Sequence, residues 1–320
     1  MRKRKAFWHL LICLVVSTGL VLGGTAIAAE QNKAKAADKP ALTKDVKDKG
    51  RKEAGKKRET IVKEAVSALE QTKKVIEALD KKKKQEALDA LALVTGKLEI
   101  VLARDPGLAN APIDVRMEQY DLYATIDVIK DAIKEAQDLL DDGEVQKARA
   151  ILAGLASEID IVVTSMPLAT YADGIKSVAK LVEEEKYTEA KERIYDLLGT
   201  LVVTRNIIPL PLVRAEELLK KASKLAETKD RTEKQNEELS SLLDKARYQI
   251  EMAEVLGYGE KKEYKKFYAQ IKEIKKKTSD GKFGTGFFDK IEKSLKEFKE
   301  KIFSTFEQKG DKAKQCQKKE

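Results

Sequence analysis

Asp138-Leu139-Leu140-Asp141-Asp142-Gly143-Glu144-Val145-Gln146-Lys147-Ala148-Arg149 ends one helix, turns on a glycine and starts another. The same grammar occurs three times. Aligned without a gap on Ala87, Ala148 and Ala190, the copies place an acidic residue seven positions earlier, at Asp80, Asp141 and Glu183. Apolar residues follow at plus four (Leu91, Leu152, Ile194), plus seven (Val94, Leu155, Leu197) and plus eleven (Leu98, Ile159, Leu201). That spacing is one apolar stripe on a helix. A small residue sits at plus nine (Gly96, Ser157, Gly199), read as room for another helix to approach. A proline sits at plus nineteen (Pro106, Pro167, Pro209), read as the stop. The anchors lie 61 and 42 residues apart, too irregular for a solenoid. The expectation is an all-α fold: a compact multi-helix domain of antiparallel helical hairpins with an internal three-copy repeat.

Outward from the repeat the period stays helical. Ile61, Ala65, Ala68, Leu69, Thr72, Val75, Ile76 and Leu79 recur at spacings of three and four. The β-branched runs Ile159–Val163 and Leu201–Thr204 read as buried helix. Near the C-terminus, Phe287, Phe288, Ile291, Leu295, Phe298, Ile302, Phe303 and Phe306 share one helical face. Packing on its own domain or a second protomer is favoured over a membrane surface, because the charges beside this face are nearly balanced.

The N-terminus reads as a secretory signal over residues 1–29. Arg2, Lys3, Arg4 and Lys5 precede an uncharged, mostly apolar run, and Ala26-Ile27-Ala28 gives the small-x-small cleavage pattern. Residues 30–58 are Lys-rich, nearly free of large apolar side chains and broken by Pro40, Gly50 and Gly55. They read as a basic, disordered spacer. A helical domain over 59–280 and an amphipathic helix with a polar tail over 281–320 complete the division.

Composition limits the chemistry. The 320 residues include 63 Lys+Arg, 54 Asp+Glu, one His, two Cys and one Trp. His9, Trp8 and Cys13 all lie in the expected signal, so cleavage leaves no histidine and one cysteine, Cys316. It also removes four basic residues, taking the net charge from +9 to +5 (9 − 4). Ser-His-Asp, Cys-His and His-containing zinc sites are then excluded. No metal, cofactor or catalytic group is expected, and no nucleic-acid partner, since the basic cluster lies mainly in the spacer. Any direct acid response would come from carboxylates and lie near pH 4.

Polar residues within or beside apolar runs are the candidate ligand contacts: Arg116, Asp121, Tyr123, Asp160, Thr164, Tyr171, Arg205 and Arg214. Ion pairs that fix helix register are the plainer account of the charged ones. Val202–Leu212, apolar with a polar centre and two prolines, reads as a buried connection or as the wall of a ligand pocket.

Residues 113–259 strongly resemble the YfdX family of exported bacterial proteins. The match is carried by Asp114-Val115-Arg116, Asp121-Leu122-Tyr123-Ala124-Thr125, the 138–149 run, Thr164-Ser165-Met166-Pro167-Leu168-Ala169-Thr170-Tyr171, Ile208-Pro209-Leu210-Pro211-Leu212-Val213-Arg214-Ala215-Glu216 and Leu256-Gly257-Tyr258-Gly259. Weaker similarity extends over 59–293. The resemblance implies an all-helical periplasmic protein of the envelope stress response, to acid or toxic compounds, with no enzyme activity. Residues and resemblance together lead to a non-enzymatic homo-oligomer that binds small amphipathic molecules or protein partners. The alternative is a structural oligomer tethered to membrane or cell wall by the spacer and the aromatic helix.

Overall fold

The computed structural model describes residues 44–317, with side chains over 47–303. The expected signal and the spacer up to residue 43 lie outside the described residues. The elements run α1 (Lys44–Glu59), α2 (Lys63–Asp80), α3 (Lys84–Arg104), β1 (Asn110–Tyr120), α4 (Ile126–Asp141), α5 (Val145–Ala153), β2 (Glu158–Pro167), α6 (Leu168–Glu183), α7 (Tyr187–Gly199) and β3 (Val202–Pro209). Then follow α8 (Leu210–Ala226), α9 (Glu233–Val255), α10 (Lys261–Thr278), a short 3-10 turn (Ser279–Gly281) and α11 (Asp289–Gln317).

The all-α expectation is corrected. The described chain is mostly helical, but helix, helix, strand recurs three times, and the strands form one antiparallel sheet in the order β1-β2-β3. Asn110 pairs with Pro167 and Tyr120 with Glu158; Glu158 also pairs with Pro209. The runs read as buried helix are strands because their side chains alternate. Ile159, Ile161 and Val163 point to one face, and Glu158, Asp160, Val162 and Thr164 to the other. β-branched residues fit that pleated surface. β1 alternates too, past an irregularity between Pro112 and Asp114; its Pro112 sits on an edge strand, where a missing N–H is tolerated.

The acidic repeat positions fall at helix ends: Asp80, Asp141 and Glu183 are the last residues of α2, α4 and α6. The prolines act differently from the expected helix stop. Pro167 and Pro209 close strands β2 and β3 in extended conformation and lead into α6 and α8. Pro106 follows the end of α3. Nor do the small residues admit a neighbour at Gly96 and Gly199, where an added Cβ would meet nothing within 4 Å. The ungapped frame crosses element types at plus eleven: Leu98 is helical, Ile159 is in a strand and Leu201 precedes one.

Two helical cores flank the sheet. α2, α3, α6 and α7 bury Val75, Leu91, Leu98, Ile175 and Ile194. α8 to α11 bury Leu219, Ile250, Tyr264, Phe267, Ile291, Leu295 and Phe298. The aromatic face of α11 is thus core: Phe298 meets Tyr264 edge-on at 5.3 Å between ring centres. The basic segment is ordered where it is described. α1 lies on the apolar sheet face through its small residues; an added Cβ on Gly50 would sit 3.1 Å from Ile159 Cδ1, and Ala54 is buried beside Ile159 and Ile161. Small residues spaced by four leave no large apolar stripe to read, which is why the sequence suggests a spacer there.

Candidate functional site

The sheet face opposite α1 gathers four of the eight candidate residues. Val162 stands between Arg116 and Arg205, Asp160 between Glu118 and Ile207, and Thr164 between Asp114 and Val203. Cross-strand partners share a face, so Arg116, Asp160, Thr164 and Arg205 form one polar surface. Arg205 Nη1 donates to Asp160 Oδ2 at 2.8 Å and lies 3.5 Å from Glu118 Oε2. The Tyr120 hydroxyl donates to Glu118 at 2.9 Å, and Arg116 pairs within its own strand with Asp114 at 3.3 Å.

Burial sets the electrostatics of this face. The Asp160 side chain is 2% exposed, while Arg205 is half exposed. Burial pushes the Asp160 carboxyl above its ordinary value, more than the Arg205 bond pulls it down. Glu158, two residues earlier on the same face, is pushed up to about 7, chiefly by burial and further by the Asp160 charge, against the bond from the Tyr258 hydroxyl. Glu158 is thus a carboxylate perturbed far enough to titrate above the ordinary range near pH 4. The Asp160–Arg205 contact is a closed ion pair, not an open catalytic dyad.

The other candidates lie elsewhere. Arg214, in the first turns of α8, is 1% exposed, and its Nη2 donates to Asp121 Oδ2 at 2.7 Å. Its Nε and Nη1 are buried without a partner. Tyr171 is fully buried in the core of α2, α3 and α6, donating to Thr72 Oγ1 at 3.1 Å. Tyr123 is 74% exposed beyond β1. Asp160, Arg205 and Arg214 thus belong to two separate ion pairs.

A cavity of about 390 Å³ opens where the end of β3 meets α1, α8 and α11. Ile207, Ile208, Pro209 and Phe303 give apolar walls. α1 contributes Lys49, Glu53 and Lys56; α8 contributes Glu216; α11 contributes Lys296, Lys299 and Glu300. Glu216 is the hub, with Lys49 Nζ at 3.3 Å, Lys220 Nζ at 3.4 Å and a hydrogen bond from Lys299. Burial would raise the Glu216 carboxyl, but the Lys299 charge, then those of Lys49 and Lys220, holds it well below the usual range. The sequence marked one wall, within Val202–Leu212. It did not mark the lysines, which look solvated until α1 and α11 are folded over the sheet end.

Residues 68–207 match the YfdX protein family. The chain carries a YfdX-family domain. It runs from within α2 to within β3. The cavity touches the YfdX segment only at Ile207; its other lining residues lie outside it. Among solved structures, that of YfdX from Salmonella Typhi is similar at 16% identity, over 47% of this chain and 93% of that one, with a TM-score of 0.32. No curated protein matches. Among the described residues, no helix is long and apolar enough to cross a membrane, and no group of three or more His, Cys, Asp or Glu could hold a metal ion.

Proposed function

We propose that this is a periplasmic, non-enzymatic protein of the envelope stress response to acid or toxic compounds, which binds small amphipathic molecules. The carrying observation is the 390 Å³ cavity, apolar on the β3 side and charged at its rim. Its size falls in the range of small-molecule sites, and four apolar residues beside seven charged ones give it the mixed lining that an amphipathic molecule needs. The export signal read at the N-terminus and the YfdX domain support the placement in the envelope. The tether alternative loses one anchor, since Phe288, Ile291, Leu295, Phe298 and Ile302 are buried in the fold. Homo-oligomerisation belongs to the same reading; Val128, Leu140, Val145 and Leu152 leave apolar area exposed on α4 and α5, and sedimentation velocity tests it.

The ligand reading is tested by calorimetric titration of the mature protein with a panel of anionic, neutral and cationic amphiphiles. Saturable heat that disappears in Phe303→Asp is expected. No saturable binding by any member of the panel refutes it.

A further inference from the structure

The charge around the cavity is unbalanced in a way that selects among amphiphiles. One carboxylate, Glu216, faces three ammonium groups, those of Lys49, Lys220 and Lys299. The side chains of Glu216 and Lys299 are only 19% and 10% exposed, whereas Lys49 and Lys220 are 43% and 59% exposed, so the buried pair is balanced and the excess positive charge lies at the solvated rim. The neighbouring acid offers no relief, because Glu53 is taken by Lys56 at 2.9 Å. Lys296 and Glu300, also lining the cavity, make no ion pair among the described residues, so the lining carries four lysines against three glutamates, an excess of one positive charge. The surrounding wall of Ile207, Ile208, Pro209 and Phe303 has nothing polar to offer a second head group.

We propose that the cavity takes a single-chain amphiphile with one anionic head, the head seated among Lys49, Lys296 and Lys299 and the tail along Ile207 to Pro209 and Phe303. This rests on the reading of the cavity as the ligand site. At roughly 30 Å³ per water-sized unit, 390 Å³ holds about 13 non-hydrogen atoms. A saturated carboxylate of about ten carbons has that size. The same geometry acts on Lys299: burial draws its pKa down to about 8 despite Glu216, with the Lys49 charge adding to the fall. A second anion would reverse that trend. A cationic head would instead join three ammonium groups, and its affinity would suffer accordingly.

The test is calorimetry of the full mature chain with four probes: sodium decanoate, decyltrimethylammonium, decyl glucoside and acetate. Decanoate is expected to bind saturably, to weaken with added salt, and to exceed the cationic and neutral decyl probes by about tenfold or more. Acetate, lacking the tail, is expected to give no saturable heat. Lys296→Glu, on an exposed side chain, is expected to weaken decanoate by about fivefold to tenfold without changing the urea midpoint. Phe303→Asp is expected to abolish binding. If the glucoside or the ammonium probe binds as tightly as decanoate and still depends on Phe303, the anionic class is overturned and the cavity reading survives. If decanoate binds equally well to both variants, the location is overturned. If no probe binds, both readings fall.

Discussion

Arg214 is the most buried charge in the described structure, and its dependence on one neighbour allows a quantitative prediction. Asp121→Ala removes the carboxylate that Nη2 contacts at 2.7 Å. The guanidinium is 1% exposed, with Nε and Nη1 already unpartnered, so nothing nearby takes over. Removing one partner of a buried pair costs about 3–5 kcal/mol. With a urea dependence of about 3 kcal/mol per molar, a loss of about 4 kcal/mol lowers the midpoint by about 1.3 M. Arg214→Met combined with Asp121→Ala removes both charges and recovers most of that loss, because the native pair is itself incompletely bonded. Urea unfolding of the four proteins of the cycle, followed by circular dichroism, measures it. An Asp121→Ala loss below about 1 kcal/mol, or no recovery in the double variant, refutes the reasoning.

Three more outcomes are expected. Glu158, held up at about 7 against an ordinary 4.5, binds its proton more tightly when folded. Its contribution is intact below 4.5 and is lost as pH rises through 7, so Glu158→Gln gains urea midpoint over wild type between about pH 5 and about pH 8; a gap that stays constant with pH sinks the assignment. Gly259 has φ +87°, and an added Cβ would lie 2.5 Å from Phe298 Cζ, whereas Gly257 has φ +79° and open space. Thermal unfolding should therefore show Gly259→Ala costing about 2–4 kcal/mol and Gly257→Ala only about 1–2, and equal losses contradict the packing at Phe298. Tyr171→Phe removes the hydroxyl bonded to Thr72 and should cost about 1 kcal/mol; a fully neutral variant means that bond adds nothing.

The helical hairpins were legible because each buries a stripe with a regular period, as Ala87, Leu91, Val94 and Leu98 do on α3. The strands were not, because each is a short apolar run and a helical period reads through it. Ile159 and Val163, four apart, share a face in a helix as well as in a strand; Ile161 between them and the polar alternates Glu158, Asp160 and Thr164 are what separate the two. The pair Asp160–Arg205 was visible only as polar residues in apolar runs, since its partnership depends on strands 45 residues apart at those positions (205 − 160). α1 hid because its contact surface is Gly50 and Ala54. The cavity hid for a related reason: a lysine on an amphipathic helix looks the same whether it meets water or Glu216.

Neighbouring strands in this sheet are never joined by a tight turn. β1 reaches β2 through α4 and α5, and β2 reaches β3 through α6 and α7. Every rung of the ladder must therefore close a loop the length of a helical hairpin, while the hairpins themselves close locally. On loop-closure grounds the hairpins are expected to form early and the sheet to assemble last. Amide hydrogens of β2, paired on both sides, should exchange only through global unfolding, and the polar face they carry exists only once the whole chain from β1 to β3 has folded.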